Sequence, residues 1–272
     1  MQTINHIHQI IPAHTKMVEV PEKKIVKTIV ISPDHDPMSP REWDNLGTMY
    51  CWHRDYTLGD EQPKLDPNEQ KISMICEFDP DFEERFERQQ DKWTYPTTEE
   101  EVRDYSRWYQ STIDTHFDKY YISHDLYLYD HSGITMSTGG FSCRWDSGQV
   151  GFIAVSKEDV RKEYNWPRLT KARVETILGY LDGEVETYAT YLEGDVYGFT
   201  IYEHDIDEDP HEGEDGDSCW GFYGYDFKKN GMSEHWPDDW ETAYGLAYDY
   251  GYDGRHDYNW ERKHDTHPTH NG

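Results

Sequence analysis

Residues 170–192 read TKARVETILGYLDGEVETYATYL. Val174, Ile177, Leu178, Leu181, Val185, Tyr188, Ala189 and Leu192 form one continuous apolar stripe at helical spacing. Thr170 is placed to precede the first turn. Asp182-Gly183 marks where such a helix would bend or break. Glu175, Glu184, Glu186 and Glu193 fall mostly off the stripe and are expected on its exposed side. The flanks of this helix decide the fold class. Upstream, Leu126 and Leu128 alternate with Tyr127 and Tyr129, and Asp130-His131-Ser132-Gly133 makes a turn. Phe141, Cys143 and Trp145 are predicted to share a strand face. Asp146-Ser147-Gly148-Gln149 then reads as a hairpin, with Val150–Val155 returning. Ser156 with Asp159 caps a short helix through about Tyr164. Downstream, Val196–Tyr202 and Cys219–Tyr225 read as two more strands. Turns rather than βαβ crossovers join these strands. The expectation is an α+β protein, with a mainly antiparallel sheet and helices packed on one face.

Further out, Val18–Ile31 is β-branched and reads as a strand cut by Pro21. Ser39 and Glu42 form a capping box for a short helix from Pro40 to Leu46. Lys71–Phe78 reads as a strand closed by Asp79-Pro80. Thr98 with Glu101 opens a helix that Val102, Tyr105, Tyr109, Ile113 and Phe117 carry to about Tyr120. A short helix is expected at Asp239–Tyr248. Residues 1–15 look like a flexible arm, residues 16–250 like a single α+β domain, and residues 251–272 like a polar tail containing His256, His264, His267 and His270.

The chain has 272 residues, with 55 Asp and Glu against 26 Lys and Arg, a formal charge of −29. That balance opposes direct binding to nucleic acid or to an anionic membrane surface. No run of 18 apolar residues and no signal peptide is visible, so Cys51, Cys76, Cys143 and Cys219 are expected as reduced thiols in the cytoplasm. With 22 Tyr, 10 Trp and 9 Phe, an aromatic core is available despite a mean hydropathy of −1.02.

Four features carry chemistry. First, Glu203 to Asp217 holds nine acidic residues in fifteen and no Lys or Arg. Asp205, Asp207 and Asp209 have calcium-loop spacing, but Pro210 and Gly216 stand where an EF-hand needs Gly and Glu, so an EF-hand is excluded and no metal is assigned. The segment is either a solvated loop or a surface for a basic partner. In the second case Glu203, Asp205, Asp207, Asp209, Glu212, Glu214 and Asp215 would make contact, with Glu184 and Glu186 of the long helix. Second, Cys51 and His53 lie two apart, on one face of a strand. They are either a thiol–imidazole pair or a buried thiol beside a boundary histidine. Third, Asp217-Ser218-Cys219-Trp220-Gly221-Phe222-Tyr223-Gly224 spaces glycines among large rings. With Arg144 and Trp145 it offers Trp220 and Tyr223 for ligand stacking, or else it is core. Fourth, paired carboxylates are too abundant among 55 acids for any one pair to identify a glycosidase. No nucleotide-binding, zincin or nucleophile-elbow motif occurs, and no cofactor is expected.

Residues 36–49 (DPMSPREWDNLGTM), 144–153 (RWDSGQVGFI) and 217–224 (DSCWGFYG) together resemble a group of proteins from tailed bacteriophages and prophages. The resemblance spans most of the chain and transfers no catalytic residue. It implies a non-structural phage protein acting in the host bacterial cytoplasm, where small acidic proteins resemble inhibitors of host defence. The leading expectation is therefore an inhibitor that mimics nucleic acid and binds a basic surface on a defence enzyme. The alternatives are a binder of a nucleotide immune signal and an enzyme.

Overall fold

The structure is a computed structural model, and it describes residues 18–20, 23–93, 96–205, 209, 214–236 and 247–248. The chain forms two compact units where the sequence reading drew one domain over 16–250: Met1–Met38 with Gly194–Gly272, and Ser39–Glu193. Both described sheets pair mainly antiparallel, and the fold is α+β, as expected.

In the first unit, β1 (Val18–Val20) and β2 (Lys23–Pro33) pair at one edge, β7 (Val196–Asp205) lies on the other side of β2, and β8 (Glu214–Tyr223) follows. The β-branched run of β2 suits a pleated, half-buried surface. Ile29, Ile31, Tyr197, Phe199, Ile201 and Phe222 bury one face of this sheet, with Phe227 and Met232. The helix expected at Asp239–Tyr248 falls largely outside the described residues. Its last two, Ala247–Tyr248, form the short strand β9, parallel to Val30–Ile31 of β2.

The second unit is built around a sheet ordered β3-β6-β4-β5: β3 (Thr48–Cys51), β6 (Ser147–Ser156), β4 (Tyr121–Asp130) and β5 (Ile134–Ser137). The helices are α1 (Pro67–Cys76), α2 (Phe82–Gln90), α3 (Glu99–Tyr120), α4 (Lys157–Glu163) and α5 (Lys171–Leu192). Alternation along the strands serves two cores. Met49, Cys51, Ile122, Leu126, Ile153 and Val155 pack with Ile177, Leu181, Val185 and Tyr188 of α5. Tyr121, Phe152 and Ala154, with Tyr50, pack with Ile72 and Ile75 of α1, Phe82 and Phe86 of α2, and Ile113 and Phe117 of α3. Helices thus cover both faces of this sheet. The signal lay in β6, where Val150–Ser156 is buried without interruption, as a strand covered on both sides requires.

Two local expectations fail. Residues 71–78 are not a strand, because Lys71–Cys76 belongs to α1. The alternation of Ile72, Met74, Cys76 and Phe78 imitates a strand. But Asp66 accepts from the amides of Asn68 and Glu69, Glu69 reaches back to the Asp66 amide, and Pro67 opens the first turn. Residues 141–149 are not a hairpin either. β5 flanks β4 on one side and β6 on the other, so residues 138–146 are the connection that changes edges. Phe141, Cys143 and Trp145 lie in that connection, and Trp145 is 96% exposed. The helix at Ser39 is a single 3-10 turn, Pro40–Glu42. By contrast α5 runs through Gly183 without a break.

Candidate functional site

A cleft of about 740 Å³ in the second unit opens on the α1–α3 side of the sheet. Its size is that of a small-ligand site. The Asp66 capping box sets the start of α1 and so places Asn68 and Lys71 on one wall. Gln110, Asp114, Phe117 and Asp118 occur at i, i+4, i+7 and i+8 of α3, one helix face, and form a second wall. The floor is Ser123, Asp125 and Tyr127 of β4 with Gln149, Gly151 and Phe152 of β6, and Trp52 stands at the end of β3. A slip in pairing at Leu126/Tyr127 interrupts the β4–β6 ladder beneath it. Gly151 is required there, since a Cβ would meet the Tyr50 carbonyl at 2.0 Å.

Lys71 is the electrostatic centre of the cleft. Its side chain is 13% exposed, Nζ donates to Asp114 Oδ1 at 2.9 Å, and it lies 5.5 Å from the centroids of both Phe117 and Phe152. Ion pair and cation–π contact together neutralise it. Asp118 and Asp125, both exposed, line the same cleft, and among the described residues neither carboxylate has a hydrogen-bond partner. Although Asp118 reaches solvent, its carboxyl sits above its ordinary value through desolvation first and the nearby Asp114 charge second. The Trp52 indole N–H donates to the Leu65 carbonyl at 2.8 Å, which fixes the ring at the rim.

The residues expected to form a site are placed as follows. The described ends of the acidic segment are strand residues. Glu203 and Asp205 are in β7 and Glu214 and Asp215 in β8, with Glu203 paired in register to Glu214 and to Lys27 of β2. Glu203 is exposed and Asp209 half-exposed. Asp207 and Glu212 lie outside the described residues. Glu186 is exposed on α5.

Glu184 is a correction. Its side chain is 15% exposed, and it belongs to a buried ion cluster rather than to a contact surface. Arg41 Nη1 donates to Glu184 Oε2 at 3.0 Å, Arg41 Nη2 to Asp60 Oδ2 at 2.6 Å, and Arg41 Nε to Asp60 Oδ1 at 3.0 Å. Glu184 also accepts from the amides of Leu46 and Gly47. Burial, the largest effect on Arg41, opposes its charge, but the two carboxylates outweigh it and hold the guanidinium above its ordinary value. The PREWDNLGT segment is therefore held down by an ion cluster. A Cβ on its Gly47 would lie 2.5 Å from Leu181.

The four stacking candidates fall in different units. Arg144 and Trp145 are exposed on the β5–β6 connection. Trp220 is half-exposed on β8 and lies over Gly198, where a Cβ would come within 2.2 Å of its ring. Tyr223 donates its hydroxyl to the Met38 carbonyl. Gly221 and Gly224 have φ of 86° and 87°, so backbone conformation favours glycine at both positions of that motif.

Cys51 and His53 do not pair. Cys51 is 1% exposed in the α5-side core, with burial pushing its thiol up to about 12. His53 Nδ1 accepts from the amides of Asp55 and Tyr56. Neither is arranged for nucleophilic chemistry. Among the described residues no group of His, Cys, Asp and Glu is arranged to hold a metal ion, and no helix is long and apolar enough to cross a membrane. Sequence reasoning missed the Lys71 cleft because Lys71 had been put on a strand. The Asp66-Pro67-Asn68-Glu69 box was the signal that locates it. No protein-family model matches the chain, and no curated protein or solved structure is similar to it.

Proposed function

We propose that this protein is an acidic binding protein that occupies a basic, nucleic-acid-binding surface of a partner and inhibits it. One observation carries the reading: among the described residues no Asp or Glu is fully buried, and the partly buried Asp60 and Glu184 are both held by Arg41. The described acidic residues therefore keep contact with water. Even with one carboxylate given to every Lys and Arg, 55 − 26 = 29 carboxylates are left over. Duplex DNA carries one charge per roughly 1.7 Å of axis. A surface with this excess competes for the same basic cleft through steering and charge complementarity. The resemblance to tailed-phage proteins supplies the setting, a host defence enzyme in the bacterial cytoplasm.

Binding of a nucleotide signal has less support. The one lysine of the cleft is already paired with Asp114, and Asp118 and Asp125 line the same cleft. The test is affinity capture from host lysate, followed by competition. A nucleic-acid-acting partner, displaced from this protein by duplex DNA, supports the reading. A partner that binds this protein and DNA simultaneously refutes it.

A further inference from the structure

We infer that Arg144-Trp145, at the tip of the connection between β5 and β6, is an anchor that enters an apolar pocket on the surface of the basic partner. The inference deepens the function proposed above and rests on it. Trp145 is 96% exposed, whereas Phe141, four residues back in the same connection, packs on Tyr129 with ring centroids 5.5 Å apart. Among the described residues neither Arg144 nor Trp145 has a hydrogen bond, an ion pair or a ring contact. The base of the tip, by contrast, is tied down. The Cys143 thiol donates to Asp146 Oδ2 at 3.3 Å, the Ser147 hydroxyl donates to the Cys143 carbonyl, and the Asp130 amide of β4 donates to the Asp146 carbonyl at 2.8 Å. His131 Nδ1 stands 3.6 Å from the same Asp146 oxygen. Both flanks of the two-residue tip are therefore fixed to β4 and its turn, and the indole is presented outward. A ring held in this way loses little conformational freedom on binding. Trp and Arg are also the residues that most often dominate an interface once they fill a pocket. Three surfaces take up an exposed tryptophan: a lipid headgroup layer, a stack of nucleobases and an apolar pocket on a protein. Anionic lipid and nucleic acid both oppose a formal charge of −29, whereas a basic protein surface is attracted by it. Charge then brings the partner in, and the indole adds a short-range contact that salt does not screen.

The test is Trp145→Ala in the full-length protein. The substitution removes a side chain without contacts, so the circular dichroism spectrum and the melting temperature should not change. Binding to the purified partner captured from host lysate is measured by surface plasmon resonance. The variant should bind about thirtyfold more weakly or worse, the factor expected of a pocket-filling anchor. The loss should lie in the dissociation rate, with the association rate within about twofold of wild type. Trp145→Phe, which keeps a ring, should recover part of it. An affinity of the Ala variant within about threefold of wild type overturns the inference. If that binding still weakens with salt, the acidic-surface reading stands without the anchor. If the partner depends on Trp145 but does not act on nucleic acid, the proposed function fails and the anchor stands. Phosphatidylglycerol vesicles and oligothymidine are run in parallel. Binding to either that Trp145→Ala abolishes overturns the inference and assigns the indole to lipid or to bases.

Discussion

At the residue scale the Arg41 cluster is the most consequential departure from a surface reading. Glu184 sits off the apolar stripe of α5, so periodicity alone makes it a solvated residue. Its partner is 143 positions away. Removing Arg41 would leave Asp60 and Glu184 partly buried without a counter-charge. Arg41→Ala should therefore cost about 3–5 kcal/mol, and Glu184→Gln, which keeps one acceptor, about 1–3 kcal/mol. Urea denaturation followed by circular dichroism measures both. Glu186→Gln, on the exposed side of the same helix, should fall within about 0.5 kcal/mol of wild type. Equal stability of the Glu184 and Glu186 variants would mean that the cluster is absent in solution.

Cys51 gives a second prediction. With its thiol at about 12 against an ordinary 9.0, the folded state holds this proton more tightly than the unfolded chain does. The associated stability is full below pH 9 and declines as pH rises towards 12. In the native protein at pH 8, iodoacetamide should leave Cys51 unmodified, and unfolding should expose it. Native labelling at the rate of a free thiol would contradict its burial.

At the element scale, α5 behaves as its stripe predicts, with Ile177, Leu181 and Val185 essentially inaccessible. Leu178 is only partly buried at the edge of that core. Leu181→Asp should then unfold the second unit, because an unpaired carboxylate in an apolar core costs several kcal/mol out of roughly 5–15. Leu178→Asp should be markedly milder. Thermal melts of the two variants decide the point, and identical melting would mean that the helix is rotated from the described packing. The α1 cap is the other test at this scale. Asp66→Ala should cost about 1 kcal/mol and weaken the wall that carries Lys71.

At the scale of the whole molecule, charge is the governing quantity. Binding to a basic partner should weaken steeply as the Debye length falls from roughly 10 Å at 0.1 M salt to 3 Å at 1 M. Neutralising the acidic segment with Glu203→Gln, Asp205→Asn, Asp209→Asn and Glu214→Gln should lower the association rate more than it raises the dissociation rate. Stopped-flow binding to the captured partner at two salt concentrations measures this. Association rates that respond to neither salt nor substitution would rule out electrostatic mimicry.

The amphipathic stripe of α5, the Thr98 capping box, the β4–β5 turn and the acidic surplus were all legible in the residue order. Each is a local or additive property: a periodicity, a cap three residues long, a sum of charges. The strand assigned to 71–78 failed because short apolar runs satisfy both periods, and the cap that breaks the tie lies just outside the run. The edge-crossing connection at 138–146 was unreadable because strand order within a sheet depends on pairings between distant segments. The Arg41–Asp60–Glu184 cluster and the Lys71–Asp114 pair, 43 residues apart, were decided by tertiary structure alone. Buried charges need counter-charges at about 3 Å, and only the folded chain determines which carboxylates reach them.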